Sequence, residues 1–128
     1  MLWLLLSCGA PEDCALRSEV VSYTPDCSTA ELVRYDGESR VAVGGYGGAL
    51  VLYLPETLEA DTVYGGTTGN PLLALLNLTD QGSEEIAFAR NSTMTLARIG
   101  PQEAELYVSL DFDSGEVFGP LVVSVRAQ

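Results

Sequence analysis

Histidine and lysine are both absent from this 128-residue chain, and the two absences remove most of the common catalytic machinery. Without histidine there is no Ser-His-Asp or Cys-His activation of a nucleophile and no imidazole metal ligand. Without lysine there is no Schiff base, no Ser-Lys dyad and no phosphate-loop amine. All six basic residues are arginine (Arg17, Arg34, Arg40, Arg90, Arg98, Arg126), set against 18 Asp plus Glu for a formal net charge of −12. Such a surface lacks the basic clustering that phosphate backbones or anionic lipid headgroups require, which excludes nucleic acid as a partner. Excess acidity of this kind keeps a protein soluble. Carboxylates, tyrosine, thiols and guanidinium are the groups left for chemistry.

Also missing are an internal repeat, a segment with clear 3.6-residue periodicity, and an apolar run of the roughly 20 residues needed to span a bilayer. What is present is a composition 47% hydrophobic in one domain's length, enough to bury a core. Period-two alternation recurs, punctuated by Gly, Pro, Asn and Asp. The clearest case is 104–112. Ala104, Leu106, Val108, Leu110 and Phe112 share one side, while Glu105, Tyr107, Ser109 and Asp111 share the other, the signature of a strand with one wet face. Leu121 to Arg126 alternates in the same way, and Asp113-Ser114-Gly115-Glu116 between them reads as a hairpin turn with Gly115 at positive φ.

Ala49 to Leu54 is apolar on both faces and ends at Pro55, which suits a central strand. Leu72 to Leu78 is equally apolar and is read as a strand in preference to a short helix. Further strands are expected at 20–24, 31–35, 40–44, 62–64, 84–89 and 92–99. The fold class is therefore all-β: a single antiparallel β-sandwich, with a small β-barrel as the alternative.

The amino terminus reads Met1-Leu2-Trp3-Leu4-Leu5-Leu6-Ser7-Cys8, followed by Gly9-Ala10-Pro11-Glu12-Asp13. Leu5-Leu6-Ser7-Cys8 resembles the lipobox of bacterial lipoproteins. The resemblance covers about the first eight residues and implies cleavage before Cys8, a diacylglycerol thioether on its sulfur, and a lipid anchor as the route to the membrane. Gly9 after the cysteine, in place of Asp, implies the outer membrane by the sorting rule of enteric bacteria. The apolar run is shorter than the roughly 7–15 residues of a secretory signal core and carries no basic residue, which an upstream start would explain. The alternative makes Leu2 to Leu6 a buried strand and Cys8 a core thiol. The β domain also loosely resembles small β-sandwich modules that many bacterial lipoproteins carry. On this reading 1–7 is signal peptide, 8–28 is a lipid-anchored segment, and 29–128 is the β-sandwich domain. With Cys8 lipidated in an exported chain, Cys14 and Cys27 form the natural disulfide pair.

Three candidate sites follow from residue type and spacing. Asp111, Asp113 and Glu116 begin like a calcium loop, but a glycine stands at the fifth position where a ligand belongs, so a turn is favoured and no metal is assigned. Glu103 and Glu105 share a strand face about 7 Å apart, within the range glycosidases use, and Tyr107 and Asp111 continue that face. Solvated charge is the favoured reading of this row. Gly44-Gly45-Tyr46-Gly47-Gly48 and Gly65 to Asn70 lack the Lys-Ser or Lys-Thr of a phosphate cradle and read as hairpin connections, with Tyr46 or Tyr64 as rim residues for ligand contact. Asn77-Leu78-Thr79 and Asn91-Ser92-Thr93 match glycosylation acceptors; with a bacterial lipobox the match is read as coincidence, whereas a eukaryotic source would weaken the lipobox reading and make these sites matter. The expectation is a lipid-anchored cell-envelope module, non-catalytic and without a cofactor, that binds or scaffolds an envelope protein or glycan. Its alternatives are a small carboxylate-based glycan hydrolase and a calcium-stabilised surface domain.

Overall fold

The computed structural model describes residues 15–80 and 83–127; the lipobox, Cys8 and Cys14 lie outside the described residues. The chain order is β1 (Arg17–Ser18), β2 (Thr24–Pro25), a 3-10 turn (Cys27–Thr29), β3 (Glu31–Tyr35), β4 (Glu38–Tyr46), β5 (Gly48–Pro55), β6 (Thr62–Gly65), β7 (Leu73–Asp80), β8 (Ser83–Phe88), β9 (Asn91–Ile99), β10 (Glu103–Phe112) and β11 (Gly115–Ala127). Strand accounts for 68% of the described residues, none of which is in an α-helix.

All the described strands belong to one sheet, with neighbours in the order β6-β9-β10-β11-β3-β4-β5-β7-β8; β1 adds to β11 and β2 to β4. The sheet curls into a half-barrel. The fold is all-β as expected, and it departs from a plain antiparallel sandwich in two respects. The sheet is mixed, because β11 and β3 run parallel, pairing Ser124 with Glu31 and Val125 with Leu32. The two layers of a sandwich are here a single sheet folded on itself. Parallel neighbours cannot be joined by a tight turn, and β3 and β11 are nearly a chain length apart, so only long-range packing selects this pairing.

The core is the concave side of the curl. Ala104, Leu106, Val108, Leu110 and Phe112 are all buried there, as alternation along β10 requires. Leu50, Leu52 and Leu54 of β5 and Ala74, Leu76 and Leu78 of β7 face them from the other half. The 72–78 segment is thus a strand, as is 49–54, which is central between β4 and β7. Phe112 pairs with Gly115 across the Asp113-Ser114 turn, and Gly115 has φ 145°.

The segment expected as a strand at 20–24 is instead a strap. It contributes two two-residue pairings, Arg17–Ser18 on β11 and Thr24–Pro25 on β4, with a turn between. Leu16, Val20 and Tyr23 point from it into the common core. The Glu19 N–H donates to the Glu116 carbonyl at 2.8 Å, and the Tyr23 hydroxyl donates to the Val43 carbonyl at 2.9 Å. The apolar residues of this stretch do not alternate cleanly, which is why a strap with anchor side chains replaces a ladder strand.

The first glycine-rich stretch is the β4–β5 hairpin, with Gly45 opposite Gly48. The second, 65–70, is no hairpin. It crosses from β6 at one end of the strand order to β7 near the other, because β6 pairs with β9 and β7 with β5 and β8. Ala89 and Arg90 make the matching crossing from β8 to β9, with the Ala89 N–H on the Ala74 carbonyl and the Arg90 N–H on the Asp111 carbonyl. These two crossings hold the ends of the sheet near each other.

Candidate functional site

The carboxylates singled out above fall into two arginine-centred clusters on the outer surface. β9 carries an irregularity between Leu96 and Arg98, after which Arg98 stands opposite Glu105 on β10. Arg98 donates from Nε to Glu105 at 3.0 Å, and from Nη2 to Glu105 at 2.6 Å and Glu103 at 3.0 Å. Both carboxylates bear on the guanidinium and push its pKa up, Glu105 most strongly. A glycosidase pair needs one carboxyl protonated as general acid. Here both carboxylates are hydrogen-bonded to one guanidinium on the outer surface, and that shared setting does not divide such roles between them. The side chains are half-exposed, and Tyr107 beside them is exposed.

The second cluster lies at the β10–β11 turn. Asp111 and Glu116 are cross-strand partners, so they share a face, but the cation beside Asp111 is Arg90, which reaches Asp111 at 3.4 Å and Asp113 at 3.1 Å. Glu116 accepts from the Ser109 hydroxyl at 2.9 Å. Among the described residues no cluster of three or more metal-ligating side chains is gathered about a common point. Asp111 and Asp113 are brought together as the spacing suggested, and the guanidinium occupies the position between them.

Of the two rim tyrosines, Tyr46 stands exposed at the tip of the β4–β5 hairpin. Tyr64 is buried, and its hydroxyl accepts the Glu59 N–H at 3.0 Å, so it is structural. A depression of about 460 Å³ lies between the β6–β7 crossing and the β8–β9 bend, lined in part by Gly65, Asn70, Leu73 and Arg90. Asn70 is spent on the crossing itself, donating its side-chain amide to the Val63 carbonyl at 2.8 Å. Asn91 is exposed at the start of β9, whereas Asn77 sits within β7 with its Oδ1 buried.

The feature that sequence reading missed is the outer face of β4, β5, β7 and β8. Residues paired across these strands form rows rich in apolar side chains. Ala42, Val51, Leu75 and Phe88 make one; Ala49, Asn77 and Ile86 make a second. A third runs Arg40, Tyr53, Leu73, and here the Arg40 guanidinium lies 4.6 Å from the Tyr35 ring centre and 5.1 Å from that of Tyr53. Glu38 also binds Arg40 and raises its pKa. Toward β8 the face is open to water: Leu73 is 49% exposed, Ile86 56% and Phe88 57%. The alternation of Glu84, Ile86 and Phe88 against Glu85 and Ala87 was the available signal.

Asn77 Oδ1 is the buried side-chain polar atom without a hydrogen-bond partner among the described residues. An unsatisfied buried acceptor costs about 1–3 kcal/mol. Asn77→Val is therefore expected to raise stability by about 1 kcal/mol in urea melts, the loss of the weak 3.4 Å amide contact to Glu84 being small. A destabilised N77V would show that the Asn77 amide is structurally required.

No protein-family model, no curated protein and no solved structure matches the chain. Among the described residues no helix is long and apolar enough to cross a membrane.

Proposed function

We propose that this chain is a lipid-anchored protein of the bacterial cell envelope, held at the outer membrane, whose β domain binds or scaffolds another envelope component without catalysis. The anchor rests on the lipobox-like Leu5-Leu6-Ser7-Cys8, with Cys8 as the acylated residue. Several acyl chains hold a protein to a bilayer firmly where a single one is marginal. The observation that carries the binding role is the solvent-facing apolar surface at Leu73, Ile86 and Phe88, since contiguous exposed apolar side chains mark interaction sites. The arginine pairing of Glu103, Glu105, Asp111 and Asp113 supports surface structure over acid–base work or calcium binding.

Intact mass spectrometry of the membrane-extracted protein tests the anchor. A chain beginning at Cys8 with added acyl mass, lost under globomycin (an inhibitor of the lipoprotein signal peptidase), is the expected result. An unmodified chain that keeps Met1 to Ser7 overturns it. The Cys14–Cys27 pair belongs to the same proposal, with Cys27 half-buried against the core at the start of the 3-10 turn. Closing a loop of this size contributes about 3 kcal/mol in the loop-entropy model. Reduction is expected to lower the melting temperature, and the Cys14→Ser variant to melt at the reduced value with or without reductant.

A further inference from the structure

We infer that the outer edge of β8 accepts one additional β-strand from a partner protein, an extended segment that alternates apolar side chains with lysine or arginine. The inference deepens the binding role proposed above and rests on it.

β8 ends the strand order, pairing with β7 on one side and with no other described strand. Soluble proteins blunt such edges with charged side chains (lysine above all), proline, bulges or very short strands. β8 has no lysine, proline or bulge, and its only charges are the two glutamates, which repel an acidic strand and attract a basic one. The strand is six residues, Ser83-Glu84-Glu85-Ile86-Ala87-Phe88, and its pairing with β7 runs in unbroken register. The opposite end of the sheet, β6, is only four residues long.

The direction of the unpaired backbone groups follows from the ladder. The Ala89 N–H donates to the Ala74 carbonyl, and antiparallel pairs alternate between bonded and non-bonded positions. Ala87 and Glu85 therefore direct their backbone groups to β7. Glu84, Ile86 and Phe88 direct theirs to the open side. The same two apolar residues, Ile86 and Phe88, carry side chains more than half exposed on the outer face, next to Leu73 and Leu75. An added strand would gain main-chain hydrogen bonds at these positions and apolar contact at alternate side chains, the two elements of recognition by strand addition.

Charge selects the occupant. Glu84 and Glu85 are exposed on this strand, and neither is in a salt bridge among the described residues, although Arg40, Arg90, Arg98 and Arg126 all are. A second copy of the chain would bring two such pairs of glutamates together between molecules that each carry −12. A basic strand meets the same edge with attraction.

The test uses the full-length chain and a defined probe, the acetylated and amidated peptide Lys-Val-Lys-Val-Lys-Phe-Lys, with binding read by titration calorimetry. Binding that weakens about tenfold or more in Ile86→Pro, and on N-methylation of alternate peptide amides, is expected. Ile86→Pro removes an N–H that points away from β7, so the melting temperature stays near wild type, as edge prolines allow. The double variant Glu84→Gln, Glu85→Gln is a second probe that leaves the backbone intact, and it is expected to weaken binding and flatten its salt dependence. No binding by a folded chain overturns the inference while leaving the mass-spectrometric result for the anchor untouched. Equal binding of the N-methylated peptide overturns it too, since attraction would then be purely electrostatic. Concentration-dependent dimerisation abolished by Ile86→Pro, without peptide binding, overturns it in favour of a second copy.

Discussion

Tyr23→Ala is expected to destabilise the domain by about 3–5 kcal/mol, the range for emptying a large aromatic site in a core. At roughly 4 °C per kcal/mol for a chain of this size, that is a fall of about 12–20 °C in melting temperature. The reason is the position of this ring. Tyr23 is 1% exposed, and it is the main plug by which the strap holds to the curl. Tyr23→Phe separates the two contributions. It keeps the ring and loses only the hydroxyl bond to the Val43 carbonyl, worth about 1–2 kcal/mol including the acceptor left behind. A Tyr23→Ala protein that melts within 3 °C of wild type would mean that the strap contributes little to the fold, contrary to its burial.

The same residue sets an alkaline limit. Burial pushes the Tyr23 hydroxyl well above the ordinary tyrosine value, with the Leu50 backbone offsetting part of the shift. The folded state therefore resists ionisation that the unfolded state accepts. Stability is unaffected below the unfolded value near 10 and falls as pH rises above it, because the unfolded chain then releases a proton that the native one retains. Tyr23→Phe is expected to lose this component of the alkaline decline, so the stability gap between it and wild type narrows above pH ~10. A gap that stays constant to pH ~11.5 would show that Tyr23 ionises freely in the folded protein.

Gly47→Ala is the second large effect, expected to cost about 2–4 kcal/mol. Gly47 has φ 83°, a left-handed conformation that side chains with a Cβ adopt only with strain. A Cβ there would also collide with the Ser22 carbonyl of the strap. Strain and collision act together, because the hairpin cannot relax away while the Gly47 carbonyl accepts the Thr79 N–H at 2.9 Å. Gly37→Ala is the internal control. Gly37 has φ 96°, but nothing lies within 4 Å of its added Cβ, so the strain appears without the collision. Equal losses in the two variants would show that the strap yields to a methyl group and that φ alone decides.

Neither variant touches the β8 edge, and that separation is useful. If the strap variants lowered stability yet bound the basic peptide normally, the binding surface and the strap would be independent parts of one sheet. The rows that end at Ile86 and Phe88 run through β4, β5 and β7. The face is thus continuous across four neighbouring strands.

Local pattern determined most of the strands of this protein, the segment at 20–24 excepted. Alternation along 104–112 placed five inward residues, all buried, because a pleated strand turns successive side chains to opposite faces and no tertiary information is needed to count by two. The Leu-rich 72–78 segment and the Asp113-Ser114-Gly115 turn were legible for equally local reasons, a short apolar run between breakers and a glycine at positive φ. Tertiary structure alone decided which strands became neighbours. The parallel pairing of β3 with β11, the crossing of 65–70 from one end of the sheet to the other, and the strap at 15–25 all rest on contacts between residues far apart in sequence. The same holds at the candidate surface. Period two shows that Glu84, Ile86 and Phe88 share a face, but it cannot say whether that face meets core or water, or whether the strand is central or an edge. Both depend on where the curl ends, which only the packed whole sets.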